Sequence, residues 1–351
     1  MDRFSIILGL FCCFTLTASL RIVKPPTKKL NDGREIPAIA LGTWLGNNTR
    51  EKNISKTCKI TSHFSQHGRV EPGQDEVEHA VTWAINAGYR HIDTAYVYQI
   101  EDQVGRAVNK KIAEGIKREE LFITTKLWND AHAKDTVVPA LRRSLASLGL
   151  DYVDLYLIHW PVAQFSNGTY DTADYLETWR GMIEAKKLGL ARSIGVSNFN
   201  EKQIDRLLEN KLEIPAVLQV EINFNLQQPS LLAYCKQKNI VVMGYTPFGS
   251  LFYHKARPGS PPPRIDDPAL VEIAAKYRKT VPQIALRYLV ELGVIPIPKS
   301  LTKSRIEQNI DIFDFYLELE EQNKLKDFDK NYRTIKQEKW LDSPYYPFER
   351  N

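Results

Sequence analysis

Four residues of this chain could share one proton-transfer site: Asp93 in RHIDTAY, Tyr98 shortly after it, Lys126 in LFITTKLW and His159 in LYLIHWP. Asp93, Lys126 and His159 sit at or just beyond the ends of short apolar runs. If those runs are parallel strands of one barrel, their C-terminal ends meet on one face, and a carboxylate, a phenol, an ammonium and an imidazole converge. Reduction of a carbonyl needs a hydride donor and an acid that delivers a proton as negative charge grows on oxygen. A phenol carries such a proton but holds it tightly, with an ordinary pKa of about 10. A neighbouring ammonium stabilises the phenolate, and a carboxylate behind it keeps the ammonium charged and oriented. Tyr98, Lys126 and Asp93 fit these roles, and His159 could hold the carbonyl oxygen by hydrogen bonding or share in the proton transfer. Taken singly, each has a plainer reading: Asp93 as a turn cap, Lys126 as a solvated strand end, His159 as a packed core residue. Their joint placement favours the chemistry.

The elements that must position these groups recur regularly. Apolar runs with strand character lie at 39–41, 89–92, 121–125, 153–158, 192–196, 217–220, 240–243 and 294–297, eight in all. Amphipathic stretches with helical spacing alternate with them at 76–87, 103–113, 137–148, 175–187, 201–209 and 230–238, and as a pair at 268–277 and 282–292. Gly88, Gly149, Gly189 and Gly293 close several of these stretches, as left-handed caps would. Eight strand–helix units predict an α/β fold, a closed (β/α)8 TIM barrel, in preference to a doubly wound open sheet. Asn31-Asp32-Gly33 is a turn signal between two short segments and reads as a β-hairpin plugging the barrel bottom. The chain contains no G-x-G-x-x-G, H-E-x-x-H, P-loop or G-x-S-x-G motif, so a Rossmann dinucleotide turn is not expected.

Arg3 precedes an apolar run at 6–16, with Thr17, Ala18 and Ser19 behind it, the pattern of a signal peptide over residues 1–19. That run is shorter than the roughly 20 residues needed to span a bilayer, so no stable membrane anchor is expected. Residues 20–351 are then one barrel domain, secreted or held in the secretory-pathway lumen. Cys12 and Cys13 leave with the leader, and Cys58 and Cys235 are too few for a disulfide framework. Sequons at Asn47, Asn53 and Asn167 would be glycan acceptors in an exported chain. The net charge is +5, from 47 basic and 42 acidic residues that are scattered along the chain, so a nucleic-acid partner is not expected. Residues 47–71 break the rhythm with polar, nearly patternless sequence, far longer than a usual βα loop, and read as a surface flap. His63 and His67 within it lack further ligands, so no metal is expected. The tail from Tyr332 carries Trp340, Tyr345, Tyr346 and Phe348, which imply docking onto the body.

The chain resembles an aldo-keto reductase in seven separated blocks: LGTW at 41–44, GYRHIDTAYVYQIE at 88–101, ITTKLW at 123–128, DLYLIHWP at 154–161, GVSNF at 195–199, IPKS at 297–300 and YPF at 346–348. The resemblance implies that Asp93, Tyr98, Lys126 and His159 are the catalytic tetrad, with Tyr98 the general acid, and that NADP(H) is the cofactor. It places the dinucleotide against Thr43, Ser197, Asn198, Gln219, Tyr245, Lys299, Ser300 and Arg305. Residue chemistry agrees at several of these. Ser197 and Asn198 offer groups suited to a carboxamide, and Tyr245 a flat face for nicotinamide stacking. Lys299 and Arg305 put two cations near a helix start, which favours the 2′-phosphate of NADP. Trp44, Trp128, Trp160, Phe165 and Phe248 would line an apolar pocket. The implied partner is a small-molecule carbonyl, either a steroid-like ketone, as for secreted insect members of the family, or a sugar or lipid aldehyde; a monomer is expected. Ile100, Gln103, Asn223, Phe224 and Gln308 depart from the family pattern and imply an altered cofactor grip and pocket wall. The rival reading is a secreted binder that keeps fold and cofactor without turnover.

Overall fold

Alternation within the apolar runs sets the inner face of the sheet. In FITTKL, VLQVE and VVMGY every second residue shares one side of the pleat, which groups Phe122, Thr124 and Lys126, then Val217, Gln219 and Glu221, then Val241, Met243 and Tyr245. Each set starts apolar and finishes polar or aromatic. The apolar starts pack together: Phe122, Leu155, Leu157, Val217, Met243, Ile295 and Ile297 form one buried cluster.

A computed structural model describes residues 25–45 and 75–349. The leader, the 47–71 segment, Cys58, Asn47, Asn53, His63 and His67 lie outside the described residues. Strands β1 (Thr27–Lys29) and β2 (Glu35–Pro37) form an antiparallel hairpin. Then β3 (Leu41–Gly42), β4 (His91–Asp93), β5 (Phe122–Leu127), β6 (Val153–Ile158), β7 (Ala191–Ser197), β8 (Val217–Glu221), β9 (Val241–Tyr245) and β10 (Ile295–Pro296) pair side by side in chain order, all parallel. Two backbone hydrogen bonds return the last strand to the first, Ala40 N to Pro296 O at 3.1 Å and Gly42 N to Pro298 O at 3.0 Å. The sheet is thereby closed, as the (β/α)8 expectation requires. Closure leaves no room for a side chain at residue 195, where a Cβ would stand 2.4 Å from the Val217 carbonyl oxygen.

Helices Glu76–Ala87, Glu101–Ala113, Lys134–Leu148, Tyr175–Lys187, Glu201–Glu209 and Pro229–Gln237 join successive strands, and Pro268–Tyr277 and Val281–Glu291 together join β9 to β10. Helix starts follow side-chain caps. Asn200 and Thr280 each form a capping box with a glutamine three residues on, and the Asp174 and Asp267 carboxylates accept from Leu176 N and Ala269 N. Helix Lys303–Ile310 supplies the helix start expected near Lys299 and Arg305, whereas helix Leu319–Lys326 was not expected from the pattern.

The hairpin covers the N-terminal end of the barrel. Leu30 and Ile36 are buried in the inner cluster, each burial worth about 1.5–3 kcal/mol. Around them Asn31 Nδ2 donates to Pro215 O at 3.0 Å, Arg34 Nε to Arg192 O at 3.1 Å and Lys28 Nζ to Gly293 O at 2.8 Å, all at the entry side of strands. The opposite end is left for chemistry. The tail docks as expected, with Trp340 and Tyr346 buried beside Trp160 and Val162. Asn167 lies exposed in a turn, and Cys235 is buried and free. No helix among the described residues is long and apolar enough to cross a membrane.

Candidate active site

Asp93 is the last residue of β4, Lys126 the penultimate residue of β5, and His159 follows β6 directly. Strand pairing continues beyond these ends: Thr94 N donates to Thr124 O at 2.9 Å, His159 N to Leu127 O at 3.1 Å and Asn198 N to Gln219 O at 2.9 Å. The site residues are therefore set on the barrel's own hydrogen-bond ladder. All converge at its C-terminal mouth.

Lys126 is fully buried, and its Nζ donates to Asp93 Oδ1 at 2.6 Å and to the Thr94 carbonyl at 2.9 Å. The other Asp93 oxygen accepts from Gln219 Nε2 at 2.8 Å, and the Asp93 carbonyl accepts from Thr43 Oγ1 at 3.0 Å. A buried ion pair is expensive unless its remaining lone pairs and protons are met, and these bonds meet them. The ammonium lies 5.1 Å from the centroid of the Tyr98 ring. His159 stands edge-on to Tyr98, with centroids 5.7 Å apart, and Trp128 packs against its other side at 5.2 Å. The four groups of the tetrad thus share one site.

Their protonation follows from burial. Tyr98 is half-buried, and burial, then the Asp93 charge, raise its pKa well above the ordinary phenol value. The sequence predicts that Lys126 eases proton release; in the structure burial and Asp93 act the other way on the resting phenol, which stays protonated at neutral pH. Burial lowers Lys126 from the usual ammonium range, opposed by Asp93. His159 is held well below its usual value by burial and by Lys126, so its imidazole is neutral, and its Nδ1 is buried without a hydrogen-bond partner.

Beside the tetrad lie the residues expected to hold a dinucleotide. Ser197 ends β7 and Tyr245 ends β9. Asn198, at φ +60°, donates from Nδ2 to the His159 carbonyl at 2.9 Å and accepts from the Tyr245 hydroxyl at 2.7 Å. Both Asn198 and Gln219 thus already brace the tetrad. Ser300 is buried; Lys299 is half-buried and Arg305 exposed on helix Lys303–Ile310. Burial, and then Lys255, hold Lys299 below the usual ammonium range, and neither Lys299 nor Arg305 forms an ion pair among the described residues. Two cations outside any ion pair, with only a weaker Glu76 charge acting on Lys299, fit the phosphate of a dinucleotide near a helix start.

Of the expected pocket residues, Trp44 is 44% exposed and 6.5 Å from Tyr98 by ring centroids, and Trp128 is half-buried against His159. Trp160 is 3% exposed, packed edge-on to Trp340 at 5.0 Å and Phe348 at 5.8 Å. Phe165 is exposed, and Phe248 pairs with Phe252; neither makes a ring contact with the tetrad among the described residues. Gln103, one of the departures from the family pattern, accepts from Val77 N at 3.0 Å and so caps helix Glu76–Ala87. Sequence reasoning missed the Thr94 carbonyl and Glu221. The latter shares the inward parity of Gln219 two residues before it, a signal that was there to use.

A family model described as the aldo/keto reductase family matches residues 38–330. The chain is 52% identical over 326 residues to the Bombyx mori aldo-keto reductase AKR2E4, covering 93% of this chain and 99% of that one. It is 41% identical to aldo-keto reductase family 1 member A1 of Xenopus tropicalis, covering 87% of this chain and 89% of that one. The crystal structure of Bombyx mori AKR2E4 in complex with NADP superposes with a TM-score of 0.84, covering 93% of this chain and 100% of that one at 52% identity. The structure of aldo-keto reductase AKR2E5 complexed with NADPH, also from the silkworm, gives a TM-score of 0.84 at 44% identity, covering 93% and 94%.

Proposed function

Because the chain belongs to the aldo/keto reductase family, we propose that it reduces aldehydes or ketones to alcohols with NADPH, Tyr98 serving as the general acid. The observation that carries this reading is the buried Lys126–Asp93 pair set 5.1 Å from the Tyr98 ring with neutral His159 at its edge.

Bound NADPH would supply the hydride, the pro-R hydrogen of nicotinamide C4. Ser197, Asn198 and Gln219 would offer polar groups to its carboxamide and Tyr245 a ring face, Thr43 and Ser300 would add hydroxyls to the site, and Lys299 and Arg305 would hold its 2′-phosphate. The neutral His159 donates an N–H to the carbonyl oxygen and orients it. As negative charge grows on that oxygen, Tyr98 passes its hydroxyl proton across. The phenolate left behind is stabilised by the Lys126 ammonium, whose charge Asp93 maintains. Such proton delivery is worth about 10²–10⁴ in rate.

The aromatic wall of Trp44 and Trp128 suits apolar carbonyls, so steroid-like ketones and lipid aldehydes are the substrates to try first, with sugar aldehydes beside them. All functional groups come from one chain, and the working unit is read as a monomer. Export to the secretory pathway is supported by the leader-like residues 1–19 and by the exposed sequon at Asn167; mass spectrometry of the native protein would locate the mature N-terminus and any glycan.

The decisive test is NADPH oxidation across a panel of aldehydes and ketones, with Tyr98→Phe as control. Turnover should fall at least about 100-fold in the variant while NADPH binding persists. Undiminished activity in Tyr98→Phe sinks the assignment. NADPH binding with no turnover across the panel would instead mark a cofactor-retaining binder.

A further inference from the structure

Glu221 ends β8 with its side chain fully buried, and it stands beside Tyr245 in the β8–β9 register. A buried carboxylate calls for a cation or for several donors. Here it has donors. Oε1 accepts from Thr334 N at 2.9 Å and from Asn223 Nδ2 at 3.2 Å; Oε2 accepts from Ile335 N at 2.8 Å and from Thr334 N at 3.1 Å. Two consecutive amides of the C-terminal tail are thus clasped by one barrel carboxylate, across more than a hundred residues of sequence.

What the clasp holds is the backing of the substrate wall. Ile335 packs with Trp160, Val162, Trp340 and Tyr346. Trp340, 1% exposed, lies 6.2 Å from Trp128 by ring centroids, and Trp128 lies 5.2 Å from His159. Arg333, next to the clasp, lays its guanidinium 3.7 Å from the centroid of Phe348, and the Tyr346 hydroxyl donates to the Lys336 carbonyl at 2.7 Å, which folds the tail on itself. Asn223, where this chain departs from the family pattern, braces the clasp and also donates to Thr246 O at 3.3 Å. Its side chain fills the space a Cβ at Gly249 would need, 2.6 Å away, so the brace and that glycine require each other.

We propose that Glu221 is a positioning residue: its carboxylate fastens the C-terminal tail at Thr334 and Ile335, and through Trp340 it sets Trp128 beside His159, which fixes how large a carbonyl the cleft accepts. This rests on the reductase reading above.

The test uses the full chain with Glu221→Gln, Glu221→Asp and Thr334→Pro, the last removing one clasping N–H while leaving β8 intact. Trypsin digestion without cofactor or substrate reads the tail at Lys336 and Lys339. Kinetics with a short aldehyde and a ketosteroid read the wall. In Glu221→Gln and Thr334→Pro, tail cleavage should quicken about tenfold and KM for the ketosteroid should rise about tenfold, while kcat/KM for the short aldehyde stays within about twofold, with a smaller effect in Glu221→Asp. Trp340→Ala should reproduce the shift in KM for the ketosteroid. Equal losses for both substrates in all three variants, or an unchanged tail and an unchanged substrate ratio, overturns the proposal. Absence of turnover in the unaltered protein would sink the reductase reading alone, because the proteolysis comparison stands without it.

Discussion

Gln219 donates to Asp93 Oδ2 across the barrel mouth, from β8 to β4, at 2.8 Å, filling the carboxylate oxygen that Lys126 leaves over. The carboxylate behind the catalytic lysine is therefore held from two sides, and a residue expected at the cofactor also braces the tetrad. Replacement by leucine keeps the volume and removes the donor. Gln219→Leu should lower stability by about 1–3 kcal/mol, the cost of stranding a buried acceptor, and lower kcat along with it. Thermal unfolding and steady-state kinetics measure both; a variant with unchanged Tm would mean that Asp93 does not depend on this bond.

The ion pair itself makes a sharper prediction. Lys126→Met leaves the Asp93 carboxylate buried without its cation and should cost about 3–5 kcal/mol of stability together with activity. Asp93→Asn in the same chain removes the stranded charge. The double variant should recover a large part of the lost stability and none of the activity. Denaturant unfolding of the two singles and the double provides the cycle, and additive losses would contradict the pairing.

The tetrad was legible in the sequence because three of its members sit at the ends of runs whose alternation reveals both faces and length. Lys126 shares the inward parity of Thr124 and Phe122 below it, and Asp93 that of His91. The bond from Gln219 to Asp93 was not legible, since it joins residues 126 positions apart and depends on barrel closure. Helix Lys303–Ile310 was legible only as a start near Lys299 and Arg305, not in its extent, because KSRIEQNI is mostly polar and buries only Ile306, Asn309 and Ile310, too few to mark a stripe. Helices Glu101–Ala113 and Lys134–Leu148 begin earlier than the apolar spacing indicates because their first turns are polar, with Glu101 and Asp102 in one and Asp135 in the other, where acidic groups meet the helix dipole. The parity that exposed the tetrad also contained Glu221, whose role needed the tail in three dimensions.

Acid should destabilise the protein through buried histidines. His132 is 1% exposed, neither ring nitrogen has a hydrogen-bond partner, and burial pushes its pKa down to about 3; His91 is pushed to about 3 as well. In the unfolded chain each imidazole protonates near its ordinary value of about 6.5. Between these values the unfolded chain takes up protons that the folded chain refuses, so stability present above about pH 6.5 is lost as the pH falls, by roughly 1.4 kcal/mol per unit for each imidazole. His132→Leu removes one such group and leaves the His132 carbonyl free to accept from Thr178 Oγ1. Unfolding free energy followed from about pH 6 to about pH 4 should fall less steeply in the variant by about one proton's worth. Parallel slopes would show that His132 is not a buried neutral base.

Cofactor choice should reside in Lys299 and Arg305. Neither forms an ion pair among the described residues, and Lys299 is half-buried beside the charge of Lys255, with Glu76 the weaker opposing charge, so the free protein keeps positive charge there that an incoming anion would offset. NADPH brings a 2′-phosphate and NADH does not. Lys299→Ala should weaken NADPH binding by about 10- to 100-fold, the range for a lost charge-assisted bond, and leave NADH nearly unchanged. Arg305→Ala should act in the same sense and less strongly, because its exposed side chain pays more ordering entropy and is better screened. Since burial and Lys255 depress the Lys299 pKa in the free protein, affinity for NADPH should also decline as the pH rises through the alkaline titration of Lys299, and that decline should vanish in Lys299→Ala. Fluorescence titration of both nucleotides, at low and high salt and across pH, measures all of this; equal affinities for NADPH and NADH in the unaltered protein would remove the phosphate from the argument and with it the assignment of these two cations.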